Sequence, residues 1–214
     1  MLFGNGNLFQ WLIEMVALLA ALTFHEFSHA AVANILGDDT AKRAGRLTLN
    51  PLAHLDLTGT ILLLTVGFGW GKPVPYNPYN LRDQKWGPVM VGAAGPASNV
   101  LLALLSGVVV KILLMSGVVG MDSTLIFFLT ALLSFNVMLF VFNLIPIPPL
   151  DGSKFLLAAL DNPKYARARF NLETRGPLYL MMLILADWFL FNGAIFGTLY
   201  HFAFSTVLGL FGLS

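Results

Sequence analysis

The feature that most constrains this chain is a succession of apolar runs long enough to cross a lipid bilayer. A spanning helix needs about 20 mostly apolar residues. Four or five stretches reach or approach that length: 8–36, 88–119, 125–145, and a closing pair at 177–191 and 195–213. Asn192-Gly193, a turn signal, splits the pair. Between the first two spans lies a shorter apolar run, 57–70, rich in Gly and Thr. It reads equally as a short span, a re-entrant segment or a strand hairpin, and its length does not decide.

Composition agrees. Charged residues make up 11% of the 214 positions and hydrophobic ones 57%, whereas a soluble domain carries roughly 25% charged residues. The solvent for most of the chain is therefore lipid. A net charge of +1 points to no nucleic-acid partner. The absence of cysteine excludes disulfides and thiolate metal sites. No basic stretch precedes the first apolar run, so that run is not expected to be a cleaved signal peptide.

The basic residues cluster. Lys42, Arg43 and Arg46 follow the first span; Lys72, Arg82 and Lys85 precede the second; Lys154, Lys164, Arg167, Arg169 and Arg175 lie between the third span and the final pair. By the positive-inside rule these three groups face the cytoplasm. They do so together if 57–70 enters and leaves on one side, the N-terminus lies outside, and the final pair makes one more excursion. Lys111 is the exception, and its long stem can snorkel toward the outer interface.

Ionisable groups within a span are costly and point to function. The first span contains His25-Glu26-Phe27-Ser28-His29. Residues four apart share a helix face, so both imidazoles can bind one ion, and Glu26 beside them can take a proton from water. A catalytic zinc takes three protein ligands and keeps a fourth position open. The strongest candidate for the third is Asp151. It follows Pro146, Pro148 and Pro149, which end the preceding helix and fix an extended backbone, and it precedes Gly152, which allows a sharp turn. His54, Asp56, Asp187 and His201 are its rivals.

These residues resemble the site-2 proteases, polytopic metalloproteases that cut transmembrane substrates within the bilayer. The resemblance covers most of the chain and rests on four pieces in the family's order: His25 to His29; Arg46-Leu47-Thr48-Leu49-Asn50-Pro51-Leu52-Ala53-His54-Leu55-Asp56; Gly95-Pro96-Ala97-Ser98-Asn99; and Asn143 through Gly152. The stretch Trp70 to Tyr76 is similar to the variant common in small bacterial members. The resemblance implies His25, His29 and Asp151 as ligands to one Zn2+ per chain and Glu26 as the catalytic glutamate. It implies that Asn99 contacts substrate or the developing oxyanion. Asn99 read by itself is equally an interhelical hydrogen-bonding residue.

Two further residues are candidate supports. Asn143 is expected to orient the proline-rich break, and His54 is a group behind the ligands, a residue on a water path or a loop cap. Glu14 is assigned no role. No connection is long enough for a PDZ or nucleotide-binding module, so residues 1–214 read as a single intramembrane metalloprotease domain. The expected fold is an all-α polytopic membrane protein of about five to six transmembrane helices, with a small re-entrant or β-hairpin element after the zinc-motif helix.

The expected function is zinc-dependent hydrolysis of peptide bonds in or near transmembrane segments. The expected partners are a transmembrane protein substrate, the lipid bilayer, and an oligomeric or regulatory membrane partner. The expected location is the bacterial cytoplasmic membrane, with the site opening toward the cytoplasm. Two other readings use the same residues: a metal-ion or proton transporter, and an inactive scaffold. The first gives Glu26 no special task and predicts more polar groups along the other spans. The second gives no reason to keep Glu26.

Overall fold

A computed structural model describes residues 8–66 and 69–213. Its helices, in chain order, are α1 (Leu8–Ile35), α2 (Thr40–Arg43), α3 (Leu57–Val66), α4 (Gly87–Met115), α5 (Thr124–Asn143), α6 (Ser153–Ala159), α7 (Ala166–Phe191) and α8 (Ala194–Phe211). Five segments are long and apolar enough to cross a membrane: α1, α4, α5, α8 and Pro163–Phe191, which contains α7. The protein is an integral membrane protein.

The core of the bundle is α1, α4 and α5, each packed on the other two. Lipid tails and the protein interior are equally apolar, so close backbone approach rather than water exclusion holds such helices together. The sequence supplies the small residues that allow it. The buried stripe of α1 runs Ala17, Ala21, His25, His29 and Ala33, at a spacing of four. On α4 it meets Gly95, where a Cβ would strike both imidazoles, and Asn99, which bonds to His25 and the Ala21 carbonyl. Thus the two imidazoles are carried into the bundle by the same periodicity that places the alanines there. Outside this core, α8 packs on α5 and α4, α7 packs on α8, and α6 packs on α4.

The 57–70 run forms a helix over Leu57–Val66. Ten residues rise about 15 Å, half the hydrocarbon thickness, so α3 does not span. Gly67 and Phe68 lie outside the described residues. The return passes as extended chain, joined to the preceding loop by an isolated antiparallel bridge between Leu55 and Gly71. No strand forms among the described residues, so the hairpin alternative gives way to a short helix with an extended return.

The largest departure from the sequence reading is at α7. Its helix begins at Ala166, not at 177, and passes through Pro177. The polar first turns are held by Arg169, which pairs with Glu173 at i+4 and with Asp161. Pro177, in the helix interior, removes one backbone donor, a break that membrane helices tolerate because neighbouring groups re-satisfy the freed carbonyl. Gly176 lets α7 pass directly over Pro148, because a Cβ there would stand 2.6 Å from the proline ring. At the other end, Asn192 and Gly193 both take left-handed conformations (φ 55° and 75°) and turn the chain into α8.

Candidate metal centre

Three side chains from two distant parts of the sequence meet inside the bundle. His25 and His29 project from one face of α1. Asp151 comes from the break between α5 and α6. There Gly152 N donates to the Asn143 carbonyl at 2.7 Å, and any Cβ on Gly152 would collide with the Leu144 carbonyl at 2.3 Å. The tight turn therefore needs glycine. It aims the carboxylate at the imidazoles: Asp151 Oδ2 is 3.1 Å from His25 Nε2 and 3.2 Å from His29 Nε2. The two Nε2 atoms are 3.0 Å apart.

The protonation of both rings follows from their outer nitrogens. His29 Nδ1 is 2.7 Å from the Val91 carbonyl. A carbonyl only accepts, so Nδ1 carries the proton and Nε2 of the neutral ring is a lone pair. His25 is fixed by a longer chain. Asn136 Nδ2 donates to the Leu132 carbonyl at 2.8 Å. Asn136 Oδ1 then accepts from Asn99 Nδ2 at 2.8 Å. This leaves Asn99 Oδ1 to accept from His25 Nδ1 at 2.6 Å. The polarity runs one way from a backbone oxygen that can only accept, and it also leaves a lone pair on His25 Nε2.

Two imidazole lone pairs and a carboxylate oxygen therefore face one point. Asp151 Oδ2 has no hydrogen-bond donor. Such a convergence repels itself unless a cation sits within it. Tetrahedral zinc with bonds of about 2.0–2.2 Å wants ligand atoms roughly 3.3–3.5 Å apart, within a few tenths of the observed edges. Gly95 completes the cradle: a Cβ there would lie 2.4 Å from His29 Nε2 and 2.6 Å from His25 Nε2. Among the described residues, His25, His29 and Asp151 form the group that could hold a metal ion. The donor set fits one.

Glu26 is buried beside this group, and its Oε2 has no hydrogen-bond partner. The nearest cation is Arg46, with Nη2 at 3.8 Å. The other candidates named from the sequence lie elsewhere. His54 is fully buried but bonds to the Thr48 carbonyl and to Arg46. Asp56 caps α3 by accepting from Gly59 N at 2.8 Å. Asp187 accepts from Ile195 N at 2.9 Å and ties α7 to α8. His201 is exposed beside Tyr200. Asn143 Nδ2 donates to the Leu139 carbonyl at 3.0 Å, while its own carbonyl holds Gly152. Asn99 is fully buried, and both atoms of its amide are taken by His25, Asn136 and the Ala21 carbonyl.

The profile of peptidase family M50 matches residues 13–185. The chain belongs to that family, the site-2 protease family. Its relatives include the protein named "Putative zinc metalloprotease YwhC" of Bacillus subtilis, 42% identical over 177 residues that cover 80% of this chain and 79% of that one. "Putative zinc metalloprotease Rip2" of Mycobacterium tuberculosis is 32% identical over 193 residues, covering 85% of this chain and 69% of its own. The protein of the same name in Mycolicibacterium smegmatis is 31% identical over 192 residues, covering 84% and 70%. No solved structure gives a significant match. The family match runs from α1 into α7, so it takes in the zinc motif, Asn99 and the Asp151 turn together.

Three contributors to the site are hard to find from sequence. Asn136 sits in an apolar run and bears no motif; a polar residue within a span is its only signal. Gly95 has the pattern of an ordinary helix-packing residue. Arg46 falls in the basic cluster that follows the first apolar run, yet it is 4% exposed. An apolar cavity of about 710 Å3 lies between α4, α5 and α8, bordered by Val100, Leu104, Phe140, Ile145 and Phe202, and none of the metal group lines it.

Proposed function

We propose that this metalloprotease is a zinc-dependent intramembrane endopeptidase, cutting peptide bonds in or near transmembrane segments of other proteins. The observation that carries the reading is the convergence of two oriented imidazole lone pairs and a carboxylate beside a buried glutamate, within helices that span a bilayer. His25, His29 and Asp151 would hold the ion. Bound zinc supplies an electrophile that polarises the scissile carbonyl and makes water more acidic.

The chain's own residues do the rest. Glu26 takes a proton from the attacking water and returns it to the leaving amine, a transfer worth about 10²–10⁴ in rate. Asn99 holds His25 in the tautomer and orientation a ligand needs, with Asn136 fixing the polarity of Asn99. Asn143 holds the turn that carries Asp151. The site lies six to ten residues before Ile35 on α1, roughly 9–15 Å from that helix end. That end leads into the basic residues Lys42 and Arg43, which supports a site opening to the cytoplasm. A helical substrate hides its carbonyls in its own hydrogen bonds, so it unwinds locally, and the extended 69–77 segment offers main-chain groups for it to pair with.

The test is cleavage of a reporter transmembrane peptide by the purified protein and by Glu26→Gln, with zinc quantified in both. The expected result is equal zinc and loss of cleavage in the variant. Equal zinc with no cleavage of a varied peptide set by either protein would reject the protease reading and make zinc flux in liposomes the next measurement.

A further inference from the structure

Arg46 is a buried cation that the metal group does not use. It follows Gly45, whose φ of 69° turns the chain after α2, and its guanidinium touches three separate segments. Nη2 donates to the Lys72 carbonyl at 2.5 Å, and Nη1 donates to the Pro73 carbonyl at 2.9 Å. Nη2 also lies 3.3 Å from His54 Nδ1 and 3.8 Å from Glu26 Oε2. His54 Nε2 donates to the Thr48 carbonyl at 2.8 Å. Its Nδ1 is therefore the acceptor, and His54 receives the guanidinium as a neutral ring. A flat fork presents these donors from two nitrogens in fixed geometry, which a lysine ammonium, a single point on a flexible stem, does not reproduce.

A second observation places the same segment against the zinc-motif helix. A Cβ on Gly71 would stand 3.1 Å from both methyl carbons of Leu22 and 3.3 Å from the His54 carbonyl. Leu22 is four residues before Glu26, one turn away on the same face of α1. Lys72 N donates to the His54 carbonyl at 2.8 Å. Pro73 and Pro75 keep Lys72 and Val74 extended. The segment is thus fastened from behind by Arg46 and His54 and seated on α1 beside Glu26, while Trp70, Lys72, Pro73 and Pro75 remain exposed.

We propose that Arg46 is a positioning residue that clamps the 70–75 segment as the wall on which substrate backbone lies beside Glu26. The proposal rests on the protease reading above. Arg46→Lys keeps a cation near Glu26 but does not reproduce the fork on two carbonyls and His54. It is expected to raise KM about tenfold or more, the loss of at least one charge-assisted hydrogen bond, with zinc content held and kcat changed less. Arg46→Ala is expected to do the same, with lysine giving no rescue.

The absence of cysteine in this chain permits a direct readout. A nitroxide on Lys72→Cys should give an immobilised spectrum in the full-length protein and a mobile one when Arg46→Lys is added. Gly71→Val, with Arg46 intact, should lift the segment from Leu22 and raise KM alike, which decides the matter where an Arg46 variant fails to fold. An unchanged KM in Gly71→Val overturns the proposal. So does an unchanged label spectrum in Arg46→Lys, or wild-type KM in that variant. If the wild type cleaves no peptide, the protease reading fails by itself, and the label spectrum still decides whether Arg46 clamps the segment.

Discussion

Gly95→Ala should weaken zinc binding by about 100-fold or more without unfolding the bundle. The added Cβ would lie 2.4 Å from His29 Nε2, 2.5 Å from His25 Cε1 and 2.6 Å from His25 Nε2. Carbon needs roughly 3.5 Å from a neighbouring heavy atom, so something must move by about 1 Å. The rings cannot turn aside cheaply, because their Nδ1 atoms are held by Asn99 and by the Val91 carbonyl. Both anchors sit on α4, the same helix that carries Gly95, so moving α4 away drags the rings with it. Metal sites tolerate ligand displacements of about 0.2 Å. The expected loss is therefore at least the upper end of what supporting residues cost, about 100-fold in zinc affinity, or about 2.7 kcal/mol. The assay is competition for zinc with a chromophoric chelator in detergent, with helix content followed by circular dichroism. Gly197→Ala on α8, where a Cβ meets nothing within 4 Å, is the control and should bind zinc as the wild type does. Wild-type zinc affinity in Gly95→Ala would refute the assignment of this cradle.

Asn99→Leu leaves the His25 Nδ1 proton without an acceptor and should weaken zinc binding by about 10–100-fold, measured by the same competition. Asn136→Leu should act in the same direction but less, since Asn99 keeps the Ala21 carbonyl as a contact at 3.4 Å. Gly152→Ala should also lose metal, because the turn that aims Asp151 closes against the Leu144 carbonyl; a variant with full zinc content would contradict that account of the turn. Asp38, outside the spans, links the α1–α2 turn to the 77–80 loop. Burial by itself would raise its pKa, but hydrogen bonds from the Thr40 hydroxyl, Asn80, and the backbone N–H of Asn77 and Thr40 outweigh it and hold the carboxyl below its ordinary value. A depressed folded pKa means the contribution is full above the unfolded value of about 3.9 and is lost as pH falls through the folded one. Thermal unfolding of the wild type should therefore lose stability below about pH 4, and Asp38→Asn should be less stable at neutral pH with a shallower acid slope.

The zinc motif is legible in the sequence because both of its histidines lie on one helix, and the i,i+4 spacing fixes their common face whatever surrounds it. The spans are legible because lipid demands long apolar runs. The start of α7 is not: apolarity puts it at 177 and the helix begins at 166, because its first turns are charged and Pro177 looks like a boundary. There the pairing of Arg169 with Asp161 and Glu173 and the close passage over Pro148 override local propensity. Asn99 can be read either as a substrate contact or as an interhelical bond, since a lone amide in a span gives no direction. Its occupation by His25 and Asn136 depends on α1 and α5, which lie 74 and 37 residues away in sequence.

By itself the sequence determined the environment, the number of long apolar segments and the chemistry available at each position. Those follow from composition and short-range periodicity. What only the tertiary structure decided is which groups meet. Asp151 reaches the histidines because a glycine turn after α5 folds under α4. The ring tautomers are set by carbonyls of Val91 and Leu132 on other helices. Arg46, one basic residue among several by pattern, is withdrawn among the carbonyls of Lys72 and Pro73. Each of these depends on backbone positions far apart in the chain, and a pattern of side chains does not encode which carbonyl will lie about 3 Å from which nitrogen until the helices have packed.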